Sequence, residues 1–130
     1  MTKPLRQKCV PFLGVLTIFA ASLVGTAMSG EADVVDVKAT QQSSGMWRFE
    51  VTIEHADTGW DHYADRWDVI GPNGTVLGER VLLHPHVNEQ PFTRSLSGVV
   101  IPDDVAEVMV RGHDSVHGLG GKEISVKLER

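Results

Sequence analysis

Cysteine is almost absent from this sequence, whose 130 residues include only Cys9. A disulfide needs two cysteines, and Cys9 lies in an N-terminal segment that we expect to be removed. The folded part would then have neither a disulfide framework nor a thiolate ligand for a blue-copper or zinc-ribbon site. Its stability must come from an apolar core, and about 100 residues are enough for one such core but not for two domains.

Long apolar runs are also absent, except for one near the N-terminus. The first eight residues carry three basic side chains and no acid, and residues 9–24 are almost wholly apolar, which is short for a membrane span. Small residues follow, so the pattern predicts a signal peptide over residues 1–29 with cleavage near residues 29–32, or alternatively an uncleaved anchor. Cys9 precedes the apolar run and cannot be a lipid-anchor cysteine at the cleavage point. We expect a periplasmic or secreted protein.

Basic charge is scarce once that segment is removed. Residues 30–130 keep nine of the twelve Lys and Arg residues and all seventeen Asp and Glu residues, so their net charge is −8. Nucleic acids and anionic membranes attract basic surfaces, and the sequence has no basic stripe. We therefore expect neither nucleic acid nor a membrane as a partner of the exported domain.

The exported part has no helical stripe of useful length and instead alternates apolar with polar residues. Trp47, Phe49, Val51 and Ile53 alternate with polar neighbours, which is typical of a half-buried strand, and the Asn-Gly pair within residues 71–74 predicts a tight hairpin. We predict seven strands, at residues 33–39, 47–54, 66–70, 75–83, 92–96, 107–111 and 124–128. This pattern indicates an all-β fold, a seven-stranded antiparallel Greek-key sandwich of the immunoglobulin-like kind, over residues 30–130.

Arg94 breaks the alternation, because it shares the parity of Phe92 and Leu96 and would point into the core. An unpaired buried guanidinium is too costly to tolerate. Either a bulge or an edge position turns Arg94 outward, or it is buried and paired with an acid such as Asp65 or Asp68. We favour the bulge or the edge position.

The histidines are concentrated in three connections between predicted strands. In an antiparallel sandwich of this order, the second-to-third, fourth-to-fifth and sixth-to-seventh connections share one end. We call it the histidine-rich end, because all six histidines map there: His55, His62, His84, His86, His113 and His117. Five acids map to the same end: Asp57, Asp61, Asp65, Glu89 and Asp114.

Histidine pairs at this end indicate a metal site. His84 and His86 would present both imidazoles on one face of an extended chain, while His113 and His117 can close across a hairpin loop and His62 lies in a neighbouring connection. Three or four neutral imidazoles would suit copper or zinc. The alternative is that the histidines are structural or simply polar, because His-x-His alone is a weak motif.

No arrangement in the sequence indicates an enzyme. His113, Asp114 and Ser115 are the residue types of a hydrolase triad, but neighbours in sequence rarely form one, and no Gly-x-Ser-x-Gly turn presents the serine. We therefore expect no catalytic residues, and the alternative is an oxidoreductase or hydrolase activity built on a bound metal ion. Aromatic and acidic side chains at the histidine-rich end instead predict a binding surface, formed by Trp60, Asp61, His62, Tyr63, Asp65, Glu89 and Asp114.

The chain resembles a group of small exported bacterial proteins of uncharacterised function, on the stretches GWDHYADRWDVIGPNGTVLGERVLLHPHVNEQPFTRSLSGV and HDSVHGLGGK. Its closing stretch is also similar to the last hairpin of fibronectin type III-like domains, VMVRGHDSVHGLGGKEISVKL. The resemblance covers nearly all of the exported part and implies an immunoglobulin/fibronectin type III-like domain. It implies no activity and no cofactor.

The sequence therefore predicts an exported, monomeric β-sandwich that acts as a non-enzymatic binding or interaction module through its histidine-rich end, with a protein, a glycan or a metal ion as partner. The alternative is a periplasmic copper- or zinc-binding carrier or accessory protein that uses His84, His86, His113 and His117. The two hypotheses differ in geometry. Metal binding requires at least three ligand side chains to converge on one point, whereas structural histidines would diverge, each with its own partner.

Overall fold

The computed structural model describes residues 30–130, together with residues 2 and 4. The signal peptide predicted over residues 1–29 falls outside the described residues, except for residues 2 and 4, and stays a prediction. Among the described residues no helix is long and apolar enough to cross a membrane. Seven strands are present: β1 (Asp33–Gln41), β2 (Trp47–Glu54), β3 (Ala64–Ile70), β4 (Val76–Val81), β5 (Phe92–Val99), β6 (Glu107–Asp114) and β7 (Gly118–Lys127).

The strands form two antiparallel sheets, with the order β1-β2-β5 in one and β4-β3-β6-β7 in the other. The prediction of an all-β fold with seven antiparallel strands is confirmed. The predicted hairpin turn between β3 and β4 is also present, since Asn73 and Gly74 have φ values of 60° and 75°. One boundary differs clearly, because β7 begins at Gly118 and not at residue 124. Gly118 and Gly121 have positive φ within this strand, so the glycine-rich segment continues the β6–β7 hairpin through an irregular register.

The core lies between the two sheets and is built from the alternating apolar positions. Trp47 and Phe49 of β2, Trp67 of β3 and Val110 of β6 are all at most 1% exposed. Burial of a large apolar side chain of this kind contributes roughly 1.5–3 kcal/mol to folding. The expected core position of Trp67 is confirmed.

Arg94 lies on β5, which is an edge strand, so the expectation of an edge position is confirmed. Its guanidinium is partly exposed, approaches the carboxylate of Glu89 at 3.3 Å and lies over the ring of Phe92. Asp65 and Asp68 have other partners. The edge position resolves the parity conflict, because a long side chain there can leave the core sideways.

The segment that leads into β1 is tied to β7. The backbone N–H of Gly121 donates to Glu31 Oε2 at 2.7 Å, and that of Lys122 donates to Asp33 Oδ1 at 2.8 Å. A Cβ at Gly121 would collide with the carbonyl oxygen of Ala32. This close approach fixes the position of Gly30, which lies at the histidine-rich end.

We predict that Gly121→Ala destabilises the domain more than Gly45→Ala. Both glycines have positive φ, of 74° and 85°, so each alanine incurs a backbone cost of about 1–2 kcal/mol. Only at Gly121 must the backbone of Ala32 also move, since nothing lies within 4 Å of a Cβ at Gly45. Urea unfolding of both variants measures the difference, and equal losses would show that the contact of the β1 segment with β7 is not tight.

Candidate metal centre at the histidine-rich end

The structure brings all six histidines to one end of the sandwich. His55 directly follows β2, His62 precedes β3, and His84 and His86 lie between β4 and β5. His113 is near the end of β6, and His117 lies in the turn before β7. The register explains this grouping, because Ile53 pairs with Phe92 and Ala64 pairs with Asp114, so the six strand ends concerned lie together.

Two histidines and one aspartate converge beneath the surface of this end. The Nε2 atom of His55 lies 3.8 Å from Asp114 Oδ2, and the Nε2 atom of His62 lies 3.5 Å from Asp114 Oδ1. One potential ligand atom from each of the three residues lies within 4.8 Å of the other two. Among the described residues, His55, His62 and Asp114 are the three His, Asp or Glu residues whose potential ligand atoms lie this close together.

A backbone oxygen completes the cluster. The carbonyl of Gly30 lies 3.1 Å from His62 Nε2 and 3.4 Å from His55 Nε2. Two imidazole nitrogens, one carboxylate and one carbonyl oxygen therefore surround a common point. The side chains of His55 and Asp114 are fully buried, whereas that of His62 is 22% exposed and gives access from solvent.

Asp57 determines which nitrogen of His55 is free. His55 Nδ1 donates to Asp57 Oδ1 at 2.5 Å, so Nε2 is the nitrogen that faces Asp114 and the carbonyl of Gly30, and in the neutral ring it is free to bind a cation. Asp57 also accepts hydrogen bonds from the backbone N–H of Ala64 at 3.0 Å and of His86 at 2.7 Å. A buried carboxylate behind a histidine is the usual way to orient a metal-binding imidazole.

Asp114 is held in its charged form. Burial alone would raise the pKa of its carboxyl, but hydrogen bonds from the backbone N–H groups of His117 and Val116 outweigh this and lower the pKa. These bonds measure 2.6 Å and 2.8 Å. The cluster thus has a fully buried anion between two imidazoles, which favours a cation at this point.

His117 and His113 lie beside the cluster without completing it. The ring of His117 is 5.0 Å from that of His62, and its Nδ1 donates to Asp114 Oδ2 at 3.2 Å. His113 Nδ1 is bonded instead to Asp65 Oδ1 at 2.5 Å. His117 is therefore a neighbour of the donor set, whereas His113 has a separate carboxylate partner.

His84 and His86 form a separate pair. Their ring centroids are 4.6 Å apart, and the ring of His86 stacks on Phe92 at 3.9 Å. Arg94 Nη2 donates to His86 Nε2 at 3.0 Å. Burial and, after it, the positive charge of Arg94 lower the pKa of His86 and keep this imidazole neutral.

The residues of the predicted binding surface lie in different environments. Trp60 is 67% exposed and contacts Tyr63 edge to face at 5.5 Å, and Asp61 is exposed beside it. Glu89 pairs with Arg94, and Asp65 with His113. His62 and Asp114 lie in the cluster, with Asp114 wholly buried.

His55 belongs to the cluster although the sequence analysis did not single it out as a ligand. A signal for it was present. His55 continues the inward parity of Trp47, Phe49, Val51 and Ile53, so its ring had to lie under the sheet and not in the loop.

Comparison with known proteins bears on export and on the fold. No family model matches the chain. It is 44% identical over 99 residues to a protein of Halomicrobium mukohataei named "Putative lipoprotein", covering 76% of the present chain and 48% of that relative. The chain thus spans about half the length of the relative that it matches, and that relative's name marks an exported protein.

Solved structures resemble the chain in fold alone. A hypothetical protein of Pyrococcus horikoshii OT3 aligns with a TM-score of 0.51 and 15% identity, over 76% of this chain and 90% of that one. A superoxide reductase in its oxidised state aligns with a TM-score of 0.47 and 14% identity, over 77% and 90% of the two chains. A TM-score at this second level does not establish a common fold, so that likeness says nothing about the present chain.

We predict that Asp57→Asn destabilises the domain. An amide places an N–H₂ group where one of the carboxylate oxygens now accepts hydrogen bonds, and a buried donor left without an acceptor costs about 1–3 kcal/mol. The exposed Asp61→Asn is the matched control and should change stability little. Urea unfolding compares them, and equal stabilities would show that Asp57 does not hold this end together.

We further predict that His86 makes the metal-free domain less stable in mild acid. Its pKa is lowered in the folded state, so the unfolded chain takes up the proton first as the pH falls below about 6.5. The stabilisation is present above this pH and is lost as the pH falls through the folded-state pKa. His86→Gln should therefore flatten the decrease in unfolding free energy between about pH 7 and pH 5, measured in urea with a chelator present. Parallel curves for the two proteins would contradict the prediction.

Proposed function

We propose that this domain is an exported protein that binds one divalent metal ion, zinc or copper, between His55, His62 and Asp114. The observation that carries the proposal is the convergence of two imidazole Nε2 atoms on the two oxygens of one buried carboxylate, at 3.8 and 3.5 Å. The carbonyl of Gly30 offers a fourth ligand. We propose this set in place of His84, His86, His113 and His117, which the sequence suggested.

The distances are close to those of a tetrahedral metal centre and need only small side-chain shifts to match them. Zn–N and Zn–O bonds of about 2.0–2.2 Å in a tetrahedral centre separate neighbouring ligand atoms by roughly 3.3–3.6 Å. Across the cluster, the separations of the nitrogens from Asp114 and Gly30 range from 3.1 to 3.8 Å. A cation placed among them would compensate the charge of Asp114 and draw the ligand atoms to bonding distance.

The donor chemistry narrows the choice of metal. Neutral imidazole with carboxylate and carbonyl oxygen suits Zn(II) or Cu(II), whereas Cu(I) and iron–sulfur clusters prefer sulfur ligands. The described part of the chain contains no cysteine. Asp57 behind His55 adds the outer-sphere carboxylate that such sites commonly use to orient a ligand.

Export is supported by two independent observations. The N-terminal pattern is that of a signal peptide, and the relative from Halomicrobium mukohataei is named as a lipoprotein. In this chain Cys9 precedes the apolar run, so an anchor at that cysteine would not follow the usual lipoprotein arrangement. We propose a periplasmic or secreted location on this basis. The order β1-β2-β5 facing β4-β3-β6-β7 likewise supports an immunoglobulin-like Greek-key arrangement.

The test is a calorimetric titration of the purified protein, without a polyhistidine tag, with Zn(II) and Cu(II). We expect one ion per chain for at least one of the two metals. His62→Gln should weaken binding by more than about 100-fold, because losing a ligand costs more than losing an outer-sphere partner. His62 is partly exposed, so this variant should fold.

The control is the double variant His84→Gln/His86→Gln, which we expect to keep wild-type affinity. If the double variant loses metal and His62→Gln retains it, the ligand set suggested by the sequence is right and the present one is wrong. If neither metal binds saturably, the domain is not a metal-binding protein.

A second candidate function, the interaction module, is favoured by Trp60. This side chain is 67% exposed and stands edge to face against Tyr63 at the histidine-rich end. Exposed aromatic pairs are common where a protein contacts a peptide or a sugar. Trp60→Ala would separate the two functions, since it should leave metal affinity unchanged while removing capture of a partner.

A further inference from the structure

A polar groove opens on the side of the sandwich formed by the edge strands β4 and β5. It has a volume of about 270 Å³ and is lined by Arg48, Glu50, Arg80, Thr93, Arg94 and Ser95. The opposite side, between β1 and β7, is closed by the hydrogen bonds of Gly121 and Lys122. The two sides of the sandwich therefore differ, and within residues 30–130 it is the β4–β5 side that presents this cluster of arginines.

Two of these arginines come from positions that face the core. Arg80 pairs in register with Trp67, and Arg94 pairs with Val51, and both partners are fully buried. Residues paired directly across an antiparallel ladder lie on the same face of the sheet. Because β4 and β5 are edge strands, the two long side chains reach the opening between the sheets. Arg48 and Glu50 of β2, with Thr93 and Ser95 of β5, lie on the outer face of their sheet, so the groove wraps around the β5 edge.

Positive charge exceeds its compensation in this groove. Arg48 has Glu50 at 3.7 Å, and Arg94 has Glu89 at 3.3 Å. Arg80 has no ion pair among the described residues, and its Nε is buried there without a hydrogen-bond partner. Three of the nine cationic residues of a domain with net charge −8 thus gather at one place. A buried guanidinium N–H without an acceptor is costly, and an oxyanion seated against Arg80 would supply one.

We propose that this groove binds a tetrahedral oxyanion, the phosphate or sulfate group of a small molecule. Guanidinium groups match such anions through paired N–H donors, which Arg80 of β4 and Arg48 of β2 can offer. The Nη groups of Arg94 already donate to Glu89, Thr93 and His86, so this residue adds positive charge to the groove. The hydroxyls of Thr93 and Ser95 add neutral donors, while Glu50 limits the charge and can accept from a hydroxyl of the ligand. The volume exceeds that of the anion alone and leaves room for the group that carries it.

The test follows the Nε–H of each arginine by ¹⁵N NMR while inorganic phosphate, and in a second series sulfate, is added to metal-free protein with a chelator present. We expect the Arg80 signal to shift and saturate, with a dissociation constant in the millimolar range or tighter. Arg80→Gln should weaken binding at least about tenfold, as loss of a charge-assisted hydrogen bond does. A chloride titration at equal ionic strength gives the nonspecific background.

The matched control is Arg111→Gln. Arg111 lies on β6 and pairs with Asp68, which keeps its second partner Arg66. This variant should bind phosphate as the wild type does. Linear, unsaturated shifts like those in chloride would overturn the proposal, and so would equal losses of affinity in both variants. Neither result bears on the proposed metal site, because none of its ligands is an arginine.

Discussion

The carboxylate of Asp57 is the interaction on which the histidine-rich end depends. It accepts hydrogen bonds from the ring of His55, from the start of β3 at Ala64 and from the β4–β5 connection at His86. Segments from both sheets are thereby held by one buried anion with three donors. Because a carboxylate can only accept, it also fixes the proton of His55 on Nδ1. The free Nε2 that faces Asp114 is a consequence of this bond.

The candidate metal centre is held in place by hydrogen bonds and packing within the domain itself. Asp114 accepts from backbone N–H groups of its own turn, so its charge is stabilised without a metal. The imidazoles of His55 and His62 already approach it, and the carbonyl of Gly30 is placed by the packing of the β1 segment on β7. Binding at a preorganised site loses little free energy to rearrangement. Closure of the β1–β7 edge thus contributes to the site.

The alternation of apolar and polar residues was enough to predict seven strands. The order of the connections between them was enough to predict that the histidines lie at one end. Which histidines meet was not predicted, because that depends on the direction of each side chain. His55 and Asp114 continue the inward parity of β2 and β6, whereas His86 stacks on Phe92. The last strand was predicted to begin at residue 124, but it begins at Gly118, where the positive φ values of Gly118 and Gly121 fit an irregular strand. Arg48, Arg80 and Arg94 share no local pattern, so only the tertiary fold reveals their groove.

A chain of hydrogen bonds connects the two proposed sites. Arg94 of the groove donates to the ring of His86, and the backbone N–H of His86 donates to Asp57, which holds His55. At the histidine-rich end the ligand groups are imidazole and carboxylate, which bind a cation. At the open β4–β5 side the hydrogen-bond donors are guanidinium and hydroxyl groups, which bind an anion. Oppositely charged ligands on neighbouring sites would attract each other, and a neutral His86 adds no positive charge near the bound cation. One small sandwich can therefore hold both kinds of site. The closed β1–β7 side positions Gly30 at the metal centre, and the open β4–β5 side leaves space for the anion.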